Sequence, residues 1–144
     1  MQSQVNTDFE LNDLAPAYSV VVVDDCANDF FLLEYLLKNS TQAFKSITHF
    51  ESLDRFLESD IKSPDVVVLD RYMPDSTLSE ARIPEIRARH NNCGVIMHTG
   101  RLTPSLRSTA AHEGAVAVIE KGSLKARAIG AMVAAAAQVG PSIQ

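Results

Sequence analysis

Continuous runs of β-branched apolar residues alternate along this chain with stretches in which apolar residues recur at helical spacing. The clearest run is Val66–Leu69, bounded by Asp65 and Asp70, which is typical of a short strand buried on both faces. The pattern predicts strands at 18–25, 44–50, 65–70, 94–100 and 115–119, and helices at 30–38, 51–59, 79–90, 103–113 and 123–138. This alternation predicts an α/β fold, a doubly wound five-stranded parallel sheet flanked on both faces by five helices.

Polar, proline and glycine residues predict where several helices begin and end. Pro84 is tolerated in a first turn only, so the regular part of 79–90 should begin near Ile83. Thr103 is a good cap before Pro104, and Gly114 should end that helix. The other predicted boundaries are Asn28 or Asp29 before the first helix, Ser123 before the last one, and Gly140-Pro141 after it.

Length and composition indicate a single domain. The 144 residues are enough for a sizeable core, with 1–17 as a loosely ordered arm, 18–140 as the domain and 141–144 as a tail. A helical turn is expected at Phe9–Leu14. The net charge of −5 argues against nucleic acid as a direct partner. No signal peptide and no apolar run near the roughly 20 residues of a membrane span is present, so we expect a cytoplasmic protein without membrane insertion.

The predicted strands end in residues that carry chemistry. Asp24 and Asp25 follow the first strand, Asp70 the third, Thr99 ends the fourth and Lys121 follows the fifth. Carboxyl ends of parallel strands face one binding crevice, so we expect these side chains to meet. Clustered carboxylates repel each other unless a cation compensates, and oxygen ligands favour Mg²⁺. A lysine and a hydroxyl suit phosphate oxygens, so the set predicts phosphoryl transfer to a carboxylate.

Each of these residues has an ordinary explanation when taken alone. A strand-end Asp70 can simply cap a turn, a Thr99 hydroxyl can bond to backbone, and Lys121 can be solvated. Two cysteines, Cys26 and Cys93, suggest neither a disulfide scaffold nor a metal motif. It is the joint pattern of strand ends that favours the phosphoryl site.

The motifs resemble the receiver domain of bacterial two-component response regulators. The resemblance spans roughly 19–138 and rests on Asp24-Asp25, Leu69-Asp70-Arg71-Tyr72-Met73-Pro74, Thr99 after Val95-Ile96-Met97-His98, and Lys121 before Gly122-Ser123. It implies a flavodoxin-like sheet with strand order 2-1-3-4-5.

The resemblance also implies roles for the acidic residues. Asp70 would accept a phosphoryl group from a histidine of a histidine kinase or histidine phosphotransfer protein. Asp25 and Asp70 would bind Mg²⁺ directly together with the backbone carbonyl of Tyr72, and Asp24 would assist through a water. The cofactor expected from the resemblance is therefore Mg²⁺.

Thr99 and Lys121 would bind the phosphoryl oxygens, with Thr99 moving inward once phosphate is present. The chain departs from the family around these residues. Val118 stands where an aromatic residue usually swings inward on activation, and Gly122 replaces a proline that usually follows a *cis* peptide bond. Gly100, after the threonine, would open access to the phosphate.

A further departure lies in the loop after Met73-Pro74. This loop lacks the usual glycine turn and is one residue longer, and Pro84 follows it, so we expect the third helix to be shortened or displaced. Tyr72 and Arg101 flank the predicted pocket and are where tuning of the phosphoryl lifetime is expected. The phosphorylation chemistry is expected to be intact and the output mechanism atypical.

Two helices offer surfaces for partners. If Phe30, Leu33 and Leu37 face the sheet, Phe31 and Tyr35 are exposed, and Phe30 and Phe31 are the candidate docking residues for a histidine partner; a wide buried stripe is the alternative. From 128 to 137 the last helix has no charged residue, which predicts a homodimer or partner contact through it. A plain alanine-rich surface is the alternative there.

The sequence therefore predicts a stand-alone response-regulator receiver in a two-component system or phosphorelay, one that switches protein–protein interactions and is not primarily an enzyme. One rival is an aspartate-dependent phosphatase, which usually carries a second Asp two positions after the nucleophile, where this chain has Tyr72. The other rival is a degenerate receiver that acts as a phosphate-independent scaffold, which Val118 and Gly122 favour.

Overall fold

The computed structural model describes residues 16–72 and 78–139. Within these ranges five parallel strands form one sheet in the order β2-β1-β3-β4-β5, which confirms the predicted fold class and strand order. The strands are β1 (Ala17–Val23), β2 (Ala43–Phe50), β3 (Val66–Leu69), β4 (Gly94–Thr99) and β5 (Ala117–Glu120). The predictions for the arm before residue 16, for Met73-Pro74 and the loop up to residue 77, and for the tail with Gly140-Pro141 lie outside the described residues.

The helices of the described ranges alternate with these strands. They are α1 (Ala27–Lys38), α2 (Leu53–Glu58), α3 (Ile83–Arg89), α4 (Pro104–Glu113) and α5 (Ala126–Val139), and a 3-10 helix (Ser79–Arg82) leads into α3. None of the described helices is both long enough and apolar enough to cross a membrane.

Three predicted boundaries are confirmed. α3 begins at Ile83 with Pro84 in its first turn, where the missing proline N–H costs nothing. The Thr103 hydroxyl accepts a hydrogen bond from the Leu106 amide at 3.1 Å, which caps α4. Gly114 ends α4 in the left-handed conformation with φ 112°, the region that favours glycine.

Two predicted helix starts are wrong. α1 begins before Asn28 and Asp29, because the Asp24 carboxylate accepts the Cys26 amide at 2.9 Å and turns the chain into the helix immediately after β1. Ser123 does not cap α5, since its hydroxyl donates to the Glu120 carbonyl at 2.7 Å and closes a turn after β5. α5 therefore starts three residues later than predicted, at Ala126. β5 starts two residues later than predicted, at Ala117.

Alternate residues of the strands build two cores, one on each face of the sheet. Val67 and Leu69 of β3 pack with α2, α3 and α4, whereas Val66 and Val68 pack with α1 and α5. Both sets are almost completely buried, as expected for a central parallel strand that helices cover on two sides. This arrangement fixes the rotation of β3 and thereby the place where Asp70 leaves the sheet.

α5 turns Ile129, Val133 and Ala136 toward the sheet. Its exposed positions include Ala128, Ala131 and Ala135, small side chains on a face without a partner from the described part of this chain. The homodimer through α5 stays a prediction.

Gly94 starts β4 where α5 crosses most closely. A Cβ atom on Gly94 would collide with the backbone carbonyl of Ala136, and backbone on a packed helix cannot rotate out of the way. The absence of a side chain at Gly94 is thus a packing requirement.

We predict that Gly94→Ala lowers the free energy of unfolding by about 1–3 kcal/mol, the usual range for overpacking a core. Gly100→Ala is the matched control, because a Cβ atom there meets nothing within 4 Å. Denaturant unfolding of both variants measures the difference. Equal stability of the two variants would show that α5 does not press on Gly94.

Candidate functional site

The register of the two central strands brings the acidic residues together. Val23 of β1 pairs with Leu69 of β3, and the amide of Asp70 donates to the carbonyl of Val23 at 2.9 Å. The residues that follow, Asp24 and Asp70, therefore leave the sheet side by side. One carboxylate oxygen each from Asp24, Asp25 and Asp70 lies within 4.8 Å of the others, as the strand-end pattern predicted.

Lys121 reaches this cluster from the end of β5. Its ammonium lies 2.8 Å from Asp29 Oδ2, 2.9 Å from Asp24 Oδ2 and 3.4 Å from Asp70 Oδ1. The Lys121 amide is fixed by a 2.7 Å bond to the Thr99 carbonyl, so the side chain starts from a rigid strand pair. One cation thus contacts three carboxylates.

Burial makes the charge on Asp70 costly. Asp70 is 8% exposed, and burial together with the neighbouring Asp24 charge raises the pKa of Asp70 to about 6, against the opposing effect of Lys121. Burial would lower the pKa of Lys121, but hydrogen bonds to Asp29 and Asp24 outweigh it and raise that pKa. The hydrogen bond from Lys121 lowers the pKa of Asp29.

The donor set fits a hard divalent cation. Asp25 is exposed and its carboxylate makes no hydrogen bond or ion pair with any described residue, and Asp70 Oδ2 likewise has none. Oxygen atoms that point to one spot with unsatisfied negative charge are what Mg²⁺ takes in proteins. Tyr72, the predicted carbonyl ligand, has an exposed side chain and is held by an antiparallel bridge to Leu78.

Comparison of the sequence with protein-family models and with curated proteins finds no match. Solved structures do match. The BeF3-activated receiver domain of DrrB, from Thermotoga maritima, has a TM-score of 0.68 at 21% identity over 85% of this chain and 99% of that one. The signal receiver domain of a protein named as a Luxo repressor, from Vibrio parahaemolyticus, gives 0.70 at 22% identity over 87% and 93%. A response regulator receiver protein from Pseudoalteromonas atlantica gives 0.68 at 16% identity over 83% and 96%.

This chain has the fold of a response-regulator receiver domain. The matches cover nearly the whole of the solved receiver chains, and the five-stranded order is the one that the resemblance implied. At these identities the likeness establishes the fold, and the roles of individual residues are argued from the geometry of this chain.

Thr99 ends β4 on the face of the sheet opposite α1. It is fully buried, and its hydroxyl donates to the carbonyl oxygen of Arg101 at 3.3 Å while accepting the Arg101 amide at 3.4 Å. The hydroxyl is therefore engaged with the β4–α4 loop of the receiver fold. Its predicted role toward phosphoryl oxygens stays a prediction.

Val118 and Gly122 are the two positions at which the sequence departs from the receiver pattern, and the structure shows the surroundings of one and the backbone of the other. Val118 is half-buried and lines a cavity of about 730 Å³ between α4, β5 and α5. Gly122 has φ 81°, and the described peptide bonds are all trans. A Cβ atom on Gly100 would meet nothing within 4 Å, in line with an open approach beside Thr99.

The structure corrects one docking residue. Phe30 is 6% exposed and stacks on His49 with ring centroids 4.3 Å apart, so its ring belongs to the core and is not offered to a partner. Phe31 is 59% exposed and Tyr35 65%, as their helical spacing predicted. The exposed apolar surface of α1 consists of Phe31, Leu32 and Tyr35.

Sequence reasoning missed two groups at the site. The sequence predicts Asp29 only as a helix cap, although an acidic residue in the first turn of a helix can form an ion pair with a strand-end lysine, here Lys121.

The second group lies around the loop after β3. Arg71 forms an ion pair with the buried Glu80 at 3.0 Å, and Ser79 Oγ donates to the Asp70 carbonyl at 2.5 Å. These contacts tie the two ends of the loop after β3 together.

We predict that Asp70→Asn stabilises the protein at neutral pH in the presence of EDTA. Because the folded-state pKa of Asp70 is raised, the stability linked to its protonated form is present below its ordinary pKa and is lost as pH rises through about 6. Asparagine does not ionise, so the variant should gain on the order of 2 kcal/mol at pH 7.5 and almost nothing at pH 3.5. Thermal unfolding across this pH range measures the gain.

Asp60→Asn is the control, because Asp60 is exposed and lies away from the cluster. A gain for Asp70→Asn that is the same at both pH values, or that matches the control, would contradict the buried-charge account.

Proposed function

We propose that this chain is a phospho-accepting receiver of a two-component system or phosphorelay, in which Asp70 takes a phosphoryl group from a phosphohistidine in a Mg²⁺-dependent reaction. The observation that carries the proposal is the placement of Asp70. It lies buried at the carboxyl end of a central strand, between two further aspartates and the Lys121 ammonium, in a receiver fold.

The two oxygens of Asp70 are in different environments. Oδ1 accepts the Arg71 amide at 2.9 Å and faces Lys121. Oδ2 has no hydrogen-bond or ion-pair partner among the described residues. Oδ1 is thus the oxygen that the chain already engages, and Oδ2 is the oxygen left to a cation or to a phosphoryl donor.

In the proposed transfer a carboxylate oxygen of Asp70 forms the new O–P bond while the P–N bond of the phosphohistidine breaks. The electron pair of that bond returns to the imidazole nitrogen, so no proton has to move at Asp70. A cation held by Asp25 and Asp70 would neutralise charge on the phosphoryl oxygens. Lys121 supplies positive charge beside Asp70 Oδ1, and Arg71 fixes the carboxylate through its backbone amide.

The donor is proposed to be a histidine kinase or a histidine phosphotransfer protein that docks on α1. The helix starts directly behind Asp24 and Asp25. Its exposed apolar residues are Phe31, Leu32 and Tyr35, and Leu32 and Tyr35 line the same pocket as Lys121. Exposed aromatic and aliphatic side chains of this kind act as anchors in protein interfaces. Docking there would bring a partner's phosphohistidine toward Asp70.

A phosphate-independent scaffold is the second candidate. The observation that favours it is the absence of an aromatic side chain at Val118, where the structure leaves a cavity. The two candidates make opposite predictions for phosphorylation of Asp70.

We predict that acetyl phosphate with Mg²⁺ labels the wild-type protein with one phosphoryl group, and that Asp70→Asn and addition of EDTA both abolish the label. Intact-protein mass spectrometry detects the phosphoryl group, and Asp60→Asn serves as the control that should be labelled normally. Absence of label in the wild type would favour the scaffold. Rapid turnover of diverse phosphate esters would instead indicate a hydrolase.

We also predict that Phe31→Asp slows phosphoryl transfer from a phosphorylated histidine phosphotransfer protein by about tenfold or more, the usual effect of removing an interface anchor. Labelling by acetyl phosphate should be unchanged, because the ring lies outside the site. Rapid-quench measurement of both reactions separates docking from chemistry.

Ala111→Asp is the control for the added charge, since it is exposed on α4, on the other face of the sheet. If Phe31→Asp slows both reactions equally, or if Ala111→Asp slows protein-to-protein transfer as much, the proposed role of α1 is wrong.

A further inference from the structure

The Lys121 ammonium lies closer to two other carboxylates than to that of Asp70. Its ammonium is closest to Asp29 and Asp24, at 2.8 and 2.9 Å, and farther from Asp70, at 3.4 Å. An ammonium has three donors, and the two shortest contacts occupy two of them. The Asp29 carboxylate therefore competes directly with Asp70 for the Lys121 ammonium.

Asp29 comes from a different element than the other acidic residues. It lies in the first turn of α1, whereas Asp24 and Asp70 follow strands β1 and β3. Its contact with Lys121 joins residues 92 positions apart in the sequence. The contact consequently draws the lysine side chain sideways, from the end of β5 toward α1.

The pair is partly shielded from water. The Lys121 side chain is 19% exposed and that of Asp29 37%, so the interaction is screened less than one on an open surface, where pairs contribute little. The shift in the pKa of Asp29 agrees with the geometry, since the hydrogen bond from Lys121 is its largest cause. At 2.8 Å this is the shortest contact of the Lys121 ammonium.

We propose that Asp29 is a positioning residue that holds the Lys121 ammonium toward α1 and thereby weakens the grip of the site on a phosphoryl group at Asp70. This inference rests on the proposed function, because it concerns the same site. Asp29 lies on α1 and is distinct from the cation-binding and phosphoryl-accepting residues, and it would lower the affinity of the site for a phosphoryl group.

Removing the Asp29 charge should leave Lys121 with fewer competing acceptors. The ammonium would then shift toward Asp24 and Asp70, and its free donor would be available to a phosphoryl oxygen. Asp29→Asn keeps the size of the side chain and should leave thermal stability close to that of the wild type, since Lys121 retains two carboxylates.

The test is the affinity for beryllofluoride, a phosphoryl mimic, in the presence of Mg²⁺, measured by titration calorimetry. Asp29→Asn should bind it about three- to tenfold more tightly, the size expected for one partly shielded charge-assisted hydrogen bond. Asp29→Glu keeps the charge and should bind within about twofold of the wild type.

Two controls separate positioning from net charge. Glu34→Gln removes one negative charge from the same helix, where the ion-pair partner of Glu34 among the described residues is the exposed Lys38 at 3.4 Å, and should change the affinity less than about twofold. In a Lys121→Gln background, Asp29→Asn should no longer strengthen binding beyond that control, because the two residues act through one contact.

The outcomes distinguish the two proposals. A wild-type protein that does not bind beryllofluoride with Mg²⁺ would overturn the proposed function and this inference together. Binding by the wild type, with Asp29→Asn equal to Glu34→Gln or with the gain persisting in the Lys121→Gln background, would overturn the role of Asp29 alone.

Discussion

The ammonium of Lys121 among the carboxylates of Asp24, Asp29 and Asp70 is the interaction on which this site depends. Burial and the neighbouring Asp24 charge raise the cost of ionising Asp70, and the Lys121 ammonium offsets part of that cost. The cluster keeps an excess of negative charge that a divalent cation can compensate. The same charges hold the ends of β1, β3 and β5 in one place, so the architecture of the sheet and the chemistry of its edge are coupled.

Much of this site could be predicted from the sequence because parallel strands end at one edge. Continuous apolar runs locate β1 and β3, and the residue after each run necessarily reaches that edge, which is why Asp24 and Asp70 were identified. Helical spacing likewise separated the buried Leu33 from the exposed Phe31. These inferences use local periodicity, which the fold preserves.

Other features depend on side-chain contacts that the periodicity of strands and helices does not predict. Asp29 has the sequence signature of a cap, but its carboxylate contacts a lysine 92 positions away. Ser123 has the same signature and instead closes a turn after β5. Ser123 satisfies a carbonyl only three residues earlier, in a local turn that competes with capping, whereas the partner of Asp29 is set by how α1 packs on the sheet. The tie between Ser79 and the Asp70 carbonyl has the same origin, since it needs the loop after β3 to return to its start.

Two hydrogen bonds connect the strand ends near the site to the loop before α4. Thr99 contacts the backbone of Arg101, and Glu120 Oε1 accepts the Leu102 amide at 2.9 Å, so the loop before α4 is joined to both β4 and β5. Val118 lines the cavity between α4, β5 and α5. The loop before α4 is therefore tied to the ends of β4 and β5 by these hydrogen bonds.

The central claim is that Asp70 is a buried carboxylate whose negative charge a bound cation would stabilise. A carbon-13 NMR titration of its carboxyl group tests this most directly. The account predicts a midpoint near 6 without metal, and a lower midpoint when Mg²⁺ is added, because the cation favours the ionised form. A midpoint near 3.8, the ordinary value for an aspartate, that does not respond to Mg²⁺ would contradict it.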